Sequence, residues 1–251
     1  LGVAFLQCRS RMKADRPDVL LAMGSYASVG PVLAARTLGV PVVLHEANAV
    51  PGRAISFLSR FAGTVAVAFP EAASHLRRAP VVVTGFPVRT DLAAGRFEDA
   101  VLKPGVFTAL VMGGSQGAHR LNEIVPPALA RLHGKGIPVQ AIHLAGRHDA
   151  EAVRSAYQKA GVPAVVFDFL KEMGKAYHGA GLAIARAGAA TCTELSVCGV
   201  PALFVPLPNV SHDHQTANAR AMAALGGADV VDEMDFSVEW VADYVEKLCR
   251  D

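Results

Sequence analysis

The stretch VMGGSQGAHRLNE, residues 111–123, follows directly on the apolar run Val106-Phe107-Thr108-Ala109-Leu110. A short apolar run, a glycine turn and a helical pattern through Leu121 and Ile124 make one strand–turn–helix step. Glycines allow the tight turn, and the amides at the helix start point outward without partners, an arrangement that attracts anions. The motif is neither the lysine-bearing GxxxxGK[ST] nor a clean GxGxxG. By itself it reads equally well as a simple turn or as a phosphate cradle, to which Ser115 would add a hydroxyl donor. Either way it defines a unit of construction, and that unit recurs along the chain.

Before this stretch, residues 18–22, 41–45, 64–68 and 81–83 read as strands, with helices around 32–36 and 53–61. From it onward, 107–112, 140–144, 164–167, 182–185 and 202–205 read as strands with helices between them. Short continuous apolar strands alternating with helices predict an α/β fold of parallel sheets covered on both faces. Right-handed crossovers then bring the C-terminal ends of all strands to one edge, where ligands bind. Gly85-Phe86-Pro87 breaks the pattern, and residues 92–105 are mixed and loop-like. The expected organisation is therefore two doubly wound units, 1–88 and 89–251.

Bulk properties agree with two modest domains. The 251 residues exceed the ~100–150 of one typical domain, and 52% hydrophobic against 18% charged residues describes a well-buried protein. No apolar run approaches the ~20 residues that cross a bilayer, and the first residues do not have the layout of a signal peptide. Cys8, Cys192, Cys198 and Cys249 form no CxxC pair, so reduced cytoplasmic thiols are expected rather than a zinc ribbon or disulfides. Residues 1–88 hold nine Lys/Arg against four Asp/Glu; the remainder holds fifteen against eighteen, and +5 − 3 recovers the net +2. A basic first half beside an acidic second half points to two different partners. Near-neutral charge without basic clusters excludes a nucleic-acid binder.

Further candidate sites lie at expected strand ends. In Arg186-Ala187-Gly188-Ala189-Ala190-Thr191-Cys192-Thr193-Glu194, a helix is predicted to begin near Thr191. Thr191 and Glu194 then form a capping box, or the carboxylate accepts two hydrogen bonds from a ribose diol. In His212-Asp213-His214-Gln215-Thr216-Ala217-Asn218, Gln215 and Asn218 are three apart and share a helical face. The two histidines there lack a third spaced metal ligand, so hydrogen bonding to a sugar suits the segment better. In Leu44-His45-Glu46-Ala47-Asn48, His45 beside Glu46 is an acid–base candidate, with structural hydrogen bonding the simpler reading.

Taken together, GSYAS (24–28), LHEANAVPG (44–52), GFPVR (85–89), MGGSQGAHRLN (112–122), RAGAATCTEL (186–195), GVPALFVPLP (199–208) and HDHQTANA (212–219) resemble the MurG family. These are bacterial glycosyltransferases that add N-acetylglucosamine to lipid I in peptidoglycan synthesis. The resemblance runs from residue 17 to about 229 and implies a GT-B fold, two Rossmann-like domains facing a cleft. The acceptor would bind the first domain, here expected to be incomplete, and UDP-GlcNAc the second, without cofactor or metal.

On the donor side the resemblance assigns Arg89 as a donor-site arginine and Ser115, Ala189, Ala190 and Thr191 to the diphosphate. Phe169 and Leu170 would approach the uracil, Glu194 would grip the ribose, and His214, Gln215 and Asn218 would hold the N-acetylglucosamine. Tyr26, His45, Glu46 and Asn48 fall on the acceptor side. The developing charge on UDP would be met by helix-start amides and Arg89. The basic first domain would suit lipid I, an anionic membrane surface and peripheral attachment at the cytoplasmic face. The family's GTGGH loop, which carries the leading candidate for the base, does not occur in these residues, so no base is assigned. Ser25 replaces the second glycine of the family's GGY, and Phe86 replaces the usual asparagine before PVR. Two alternatives stay open: another GT-B glycolipid glycosyltransferase and a non-catalytic UDP-sugar-binding module.

Overall fold

The computed structural model describes residues 2–93, 97, 99–114, 118–208 and 213–250. Its contacts divide the chain into two compact units, Leu1–Pro87 with Val210–Ala221, and Val88–Asn209 with Met222–Asp251. The expected division at residues 88/89 therefore differs at one place, because 210–221 counts with the first unit. The cause is long-range: the buried side chain of Asn218 is bonded to the loop at residues 48–49.

The first unit runs α1 (Gly2–Ala14), β1 (Leu20–Ala22), α2 (Val29–Thr37), β2 (Val42–Glu46), α3 (Arg53–Leu58), β3 (Thr64–Val67) and β4 (Val81–Val83). The strands pair in parallel in the order β1-β2-β3-β4, with Leu20 opposite Val42, Val43 opposite Thr64 and Val65 opposite Val81. Val42 and Leu44 meet Val32 and Ala35 of α2 and Ile55 and Leu58 of α3 in one apolar core. Burial of branched side chains on both faces stabilises such a parallel strand more than intrinsic propensity does. The helix read as 53–61 tightens into a 3₁₀ turn from Ser59 to Phe61.

The second unit runs β5 (Phe107–Met112), α4 (His119–Gly134), β6 (Val139–Leu144), α5 (Ala150–Ala160), β7 (Ala164–Phe167), α6 (Met173–Gly179), β8 (Leu182–Ala185), α7 (Ala189–Cys198) and β9 (Ala202–Phe204). After α8 (His214–Ala224), most of which counts with the first unit, come β10 (Ala228–Val230) and α9 (Val238–Arg250). The sheet is parallel in the order β10-β9-β8-β5-β6-β7. Among these strands β10 was not anticipated: it is three residues long with a charged centre, Asp229, and carries no apolar run. Its place comes from pairing with β9, Asp229 opposite Leu203.

This order places the site. The chain winds outward from β5 to β7, then returns to the other side of β5 and continues from β8 to β10. The reversal lies between β5 and β8, and in such sheets a crevice opens outside the carboxyl ends of the two strands. The loops leaving them are Gly113-Gly114 and Arg186-Ala187-Gly188.

Candidate functional site

Just after the end of β5, Gly114 has a φ of +86°, which suits glycine and strains other residues. Ser115, expected to be a diphosphate contact, lies outside the described residues. Beyond it, α4 begins at His119, and its N-cap residue, Ala118, makes no side-chain cap bond. Its start is braced from below. Asn122 donates to the Ala145 carbonyl at 2.9 Å and to Asp149 Oδ2 at 2.8 Å. Its oxygen accepts from His143 Nε2 at 2.9 Å, and His143 Nδ1 accepts from the Tyr157 hydroxyl at 3.0 Å. His143 is fully buried, and burial lowers its pKa to about 3, so it stays neutral. Asp149 also pairs with exposed His119 at 2.9 Å; that bond raises the imidazole's pKa and lowers the carboxyl's.

At the end of β8, Gly188 is the N-cap of α7, with φ −67° and ψ 145° and no side-chain cap. The helix thus begins at Ala189, two residues earlier than expected, and the Thr191–Glu194 capping box does not form. An extended glycine already supplies the cap geometry, which leaves the first-turn amides of Ala189, Ala190 and Thr191 at the sheet edge. Glu194, instead of reaching back, accepts from the Tyr177 hydroxyl at 2.6 Å. Arg186 is buried; it donates to the carbonyls of Val205 at 2.9 Å and Pro206 at 3.3 Å and pairs with Glu233. It braces the ends of β8 and β9.

Four residues predicted for donor binding, Arg89, Phe169, Leu170 and Glu194, line one cavity of about 220 Å³ with Met112, Asp168 and Tyr177. The strand-borne part of this lining lies at the C-terminal ends of β5, β6 and β7. Phe169 is 60% exposed, so its ring presents an apolar face to solvent. Arg89 pairs with Asp91 at 3.3 Å, both exposed. The turn carrying them is held close to α6: a Cβ on Gly174 would stand 2.7 Å from the Asp91 carbonyl oxygen. Tyr177, Asp168 and Met173 were not found from sequence. Tyr177 sits in a stretch that reads as ordinary helix, and no local pattern marks it. A larger cavity, about 630 Å³, lies at the opposite end of the strands near Thr108 and Gln140. Gln140 there bonds Lys103 and Thr108, and none of the residues predicted for donor binding lines that cavity.

The remaining candidates lie in the first unit. Glu46, 4% exposed, accepts from the Asn48 amide at 2.9 Å, the Asn48 side chain at 3.1 Å and the Gly52 amide at 3.0 Å. It organises its own loop. His45 Nε2 donates to the Gly85 carbonyl at 3.1 Å, and the ring meets Phe86 edge-on. His45 and Glu46 do not bond each other; the hydrogen-bonding reading describes both. Tyr26 is 66% exposed after Ser25. His214 and Gln215 are half-buried at the start of α8, and Asn218, one turn on, is fully buried.

A parallel sheet with this strand order and an open helix start at its switch point is a doubly wound, nucleotide-binding architecture, and sequence comparison narrows the class to the glycosyltransferases. Residues 108–251 match the glycosyltransferase family 28 C-terminal domain and residues 1–67 the corresponding N-terminal domain. A curated relative from Aeromonas hydrophila is 42% identical over 97% of this chain and 68% of its own length. One from Thiobacillus denitrificans is 39% identical over 100% of this chain and 70% of its own length. Both are named UDP-N-acetylglucosamine–N-acetylmuramyl-(pentapeptide) pyrophosphoryl-undecaprenol N-acetylglucosamine transferase. The crystal structure of Acinetobacter baumannii MurG superposes with a TM-score of 0.82 at 36% identity, covering 98% of this chain and 69% of that one. The chain belongs to the MurG family of glycosyltransferases.

Proposed function

We propose that the chain is an inverting glycosyltransferase that moves N-acetylglucosamine from UDP-GlcNAc to the muramyl sugar of lipid I, forming lipid II. The observation that carries this reading is the convergence of Arg89, Phe169, Leu170 and Glu194 on one cavity, in a chain of this family. In the reading, the uracil lies against Phe169 and Leu170, and Glu194 accepts the ribose hydroxyls. The diphosphate meets the first-turn amides of α7 with Ser115 and Arg89, while His214 and Gln215 reach the N-acetylglucosamine. Asn218 acts at one remove, by holding the 48–49 loop. The acceptor hydroxyl attacks the anomeric carbon opposite the diphosphate; the C–O bond to UDP breaks, and the proton leaves the hydroxyl for a base. Charge gathers on the departing diphosphate, where fixed amides and Arg89 stabilise it without reorganisation.

Tyr26, His45, Glu46 and Asn48 belong to the acceptor side in this reading. Basic residues of the first unit favour a lipid-linked diphosphate and an anionic cytoplasmic membrane face, to which the protein attaches peripherally. Among the described residues no helix is long and apolar enough to cross a membrane.

Calorimetric titration with UDP-GlcNAc tests the donor half. Glu194→Ala and Ser115→Ala are each expected to weaken binding by about 1–3 kcal/mol, the loss of one charge-assisted bond. Unchanged affinity in both variants sinks the assignment.

A further inference from the structure

The Tyr177 ring is 1% exposed, and its hydroxyl donates to Glu194 Oε2 at 2.6 Å. Both side chains line the same cavity. Among the described residues Glu194 has no other hydrogen-bond partner, so Oε1 and one lone pair of Oε2 remain for a ligand. Two features hold the phenol in place. Helix α6 is pressed against the turn at residues 91–92, close enough that Gly174 has no room for a side chain. Burial, and next the Glu194 carboxylate itself, raise the tyrosine's pKa above its ordinary value, so the hydroxyl keeps its proton.

We propose that Tyr177 is a positioning residue that sets this site's selectivity for ribose over 2′-deoxyribose nucleotides, acting through Glu194. The inference rests on the reading of the cavity as a uridine-diphosphate-sugar site. A free glutamate side chain loses rotamer entropy when it engages a ligand. One already pinned by a short bond has lost that freedom before the ligand arrives, and its oxygens stand in a fixed position and orientation. A vicinal diol can then donate to both, whereas a 2′-deoxyribose leaves one acceptor unmet. If the carboxylate swings freely it follows whichever hydroxyl is present, and discrimination falls. The phenol thus acts on selectivity without touching the nucleotide's base or phosphates.

The test is calorimetric titration of the wild type, Tyr177→Phe and Glu194→Ala with UDP and with 2′-deoxy-UDP. The wild type is expected to prefer UDP by about tenfold or more, as expected for one hydrogen bond to a charged group. Tyr177→Phe should lose most of that preference by binding UDP more weakly, with 2′-deoxy-UDP affinity nearly unchanged. Retained deoxynucleotide binding also shows that the variant is folded. Equal weakening toward both nucleotides, or an unaltered ratio, overturns the proposal. If Glu194→Ala erases the preference while Tyr177→Phe keeps it, the role of Tyr177 fails and the donor-site reading survives. If the wild type binds neither nucleotide, both fail together.

Discussion

Asn218 and Asn48 stand 170 positions apart in the chain, and the side-chain amide of Asn218 donates to Asn48 Oδ1 at 3.2 Å. The oxygen of the same carboxamide accepts the Ala49 amide at 2.8 Å, in a fully buried setting. One side chain therefore satisfies a backbone donor that burial would otherwise leave unpaired. Glu46 holds the same loop from its other side through Asn48 and Gly52.

Asn218→Ala strands the Ala49 amide, and the expected cost is about 1–3 kcal/mol of stability. Asn218→Asp keeps the acceptor for Ala49 but turns a second oxygen toward Asn48 Oδ1, so it should recover only part of the loss. Urea denaturation of the three proteins measures this. A loss below about 0.5 kcal/mol for the alanine variant, the level of an ordinary surface change, contradicts the assigned role.

Ser25 occupies a glycine position. Its φ of 68° and ψ of 152° lie where glycine is at ease and other residues are strained. The compensation is small, a 3.3 Å bond from the Ala27 amide to Ser25 Oγ. Ser25→Gly, which restores the family's GGY, should stabilise the protein by about 1 kcal/mol, the relieved strain exceeding the added freedom of the unfolded chain. The check is the melting temperature; a fall on substitution means the turn is not strained.

His143 makes stability depend on acid. Its pKa is about 3 when folded, against an ordinary value of 6.5, because burial disfavours the charged ring. The unfolded chain therefore binds the extra proton first. The stabilisation is complete above pH 6.5 and is lost as pH falls toward 3, at up to about 1.4 kcal/mol per unit. His143→Gln removes the titrating group, so its stability should fall less steeply between about pH 4 and 6. Parallel slopes for the two proteins sink this account.

Much of this architecture is written locally. A run such as Phe107–Met112 needs only its own apolar residues and the glycines after it to declare a buried strand entering a turn. Repetition of that unit foretold nine of the strands and the sheet edge where Glu194 was sought, whereas Arg89, Phe169 and Leu170 were assigned only by the family resemblance. Local pattern failed where a partner far along the chain decides the outcome. Strand β10 has no apolar run and exists through its pairing with β9. The start of α7 depended on which residue took the extended cap conformation. Whether Glu194 reached back to its own helix or across to Tyr177 was settled by how α6 packs. The sequence by itself determined which segments other than β10 become strands and roughly where the helices lie between them, because hydrophobic period and turn chemistry act over a few neighbouring residues. Only the tertiary structure decided which polar side chains face one another, because burial forces each to find a partner wherever the fold has brought one within bonding distance.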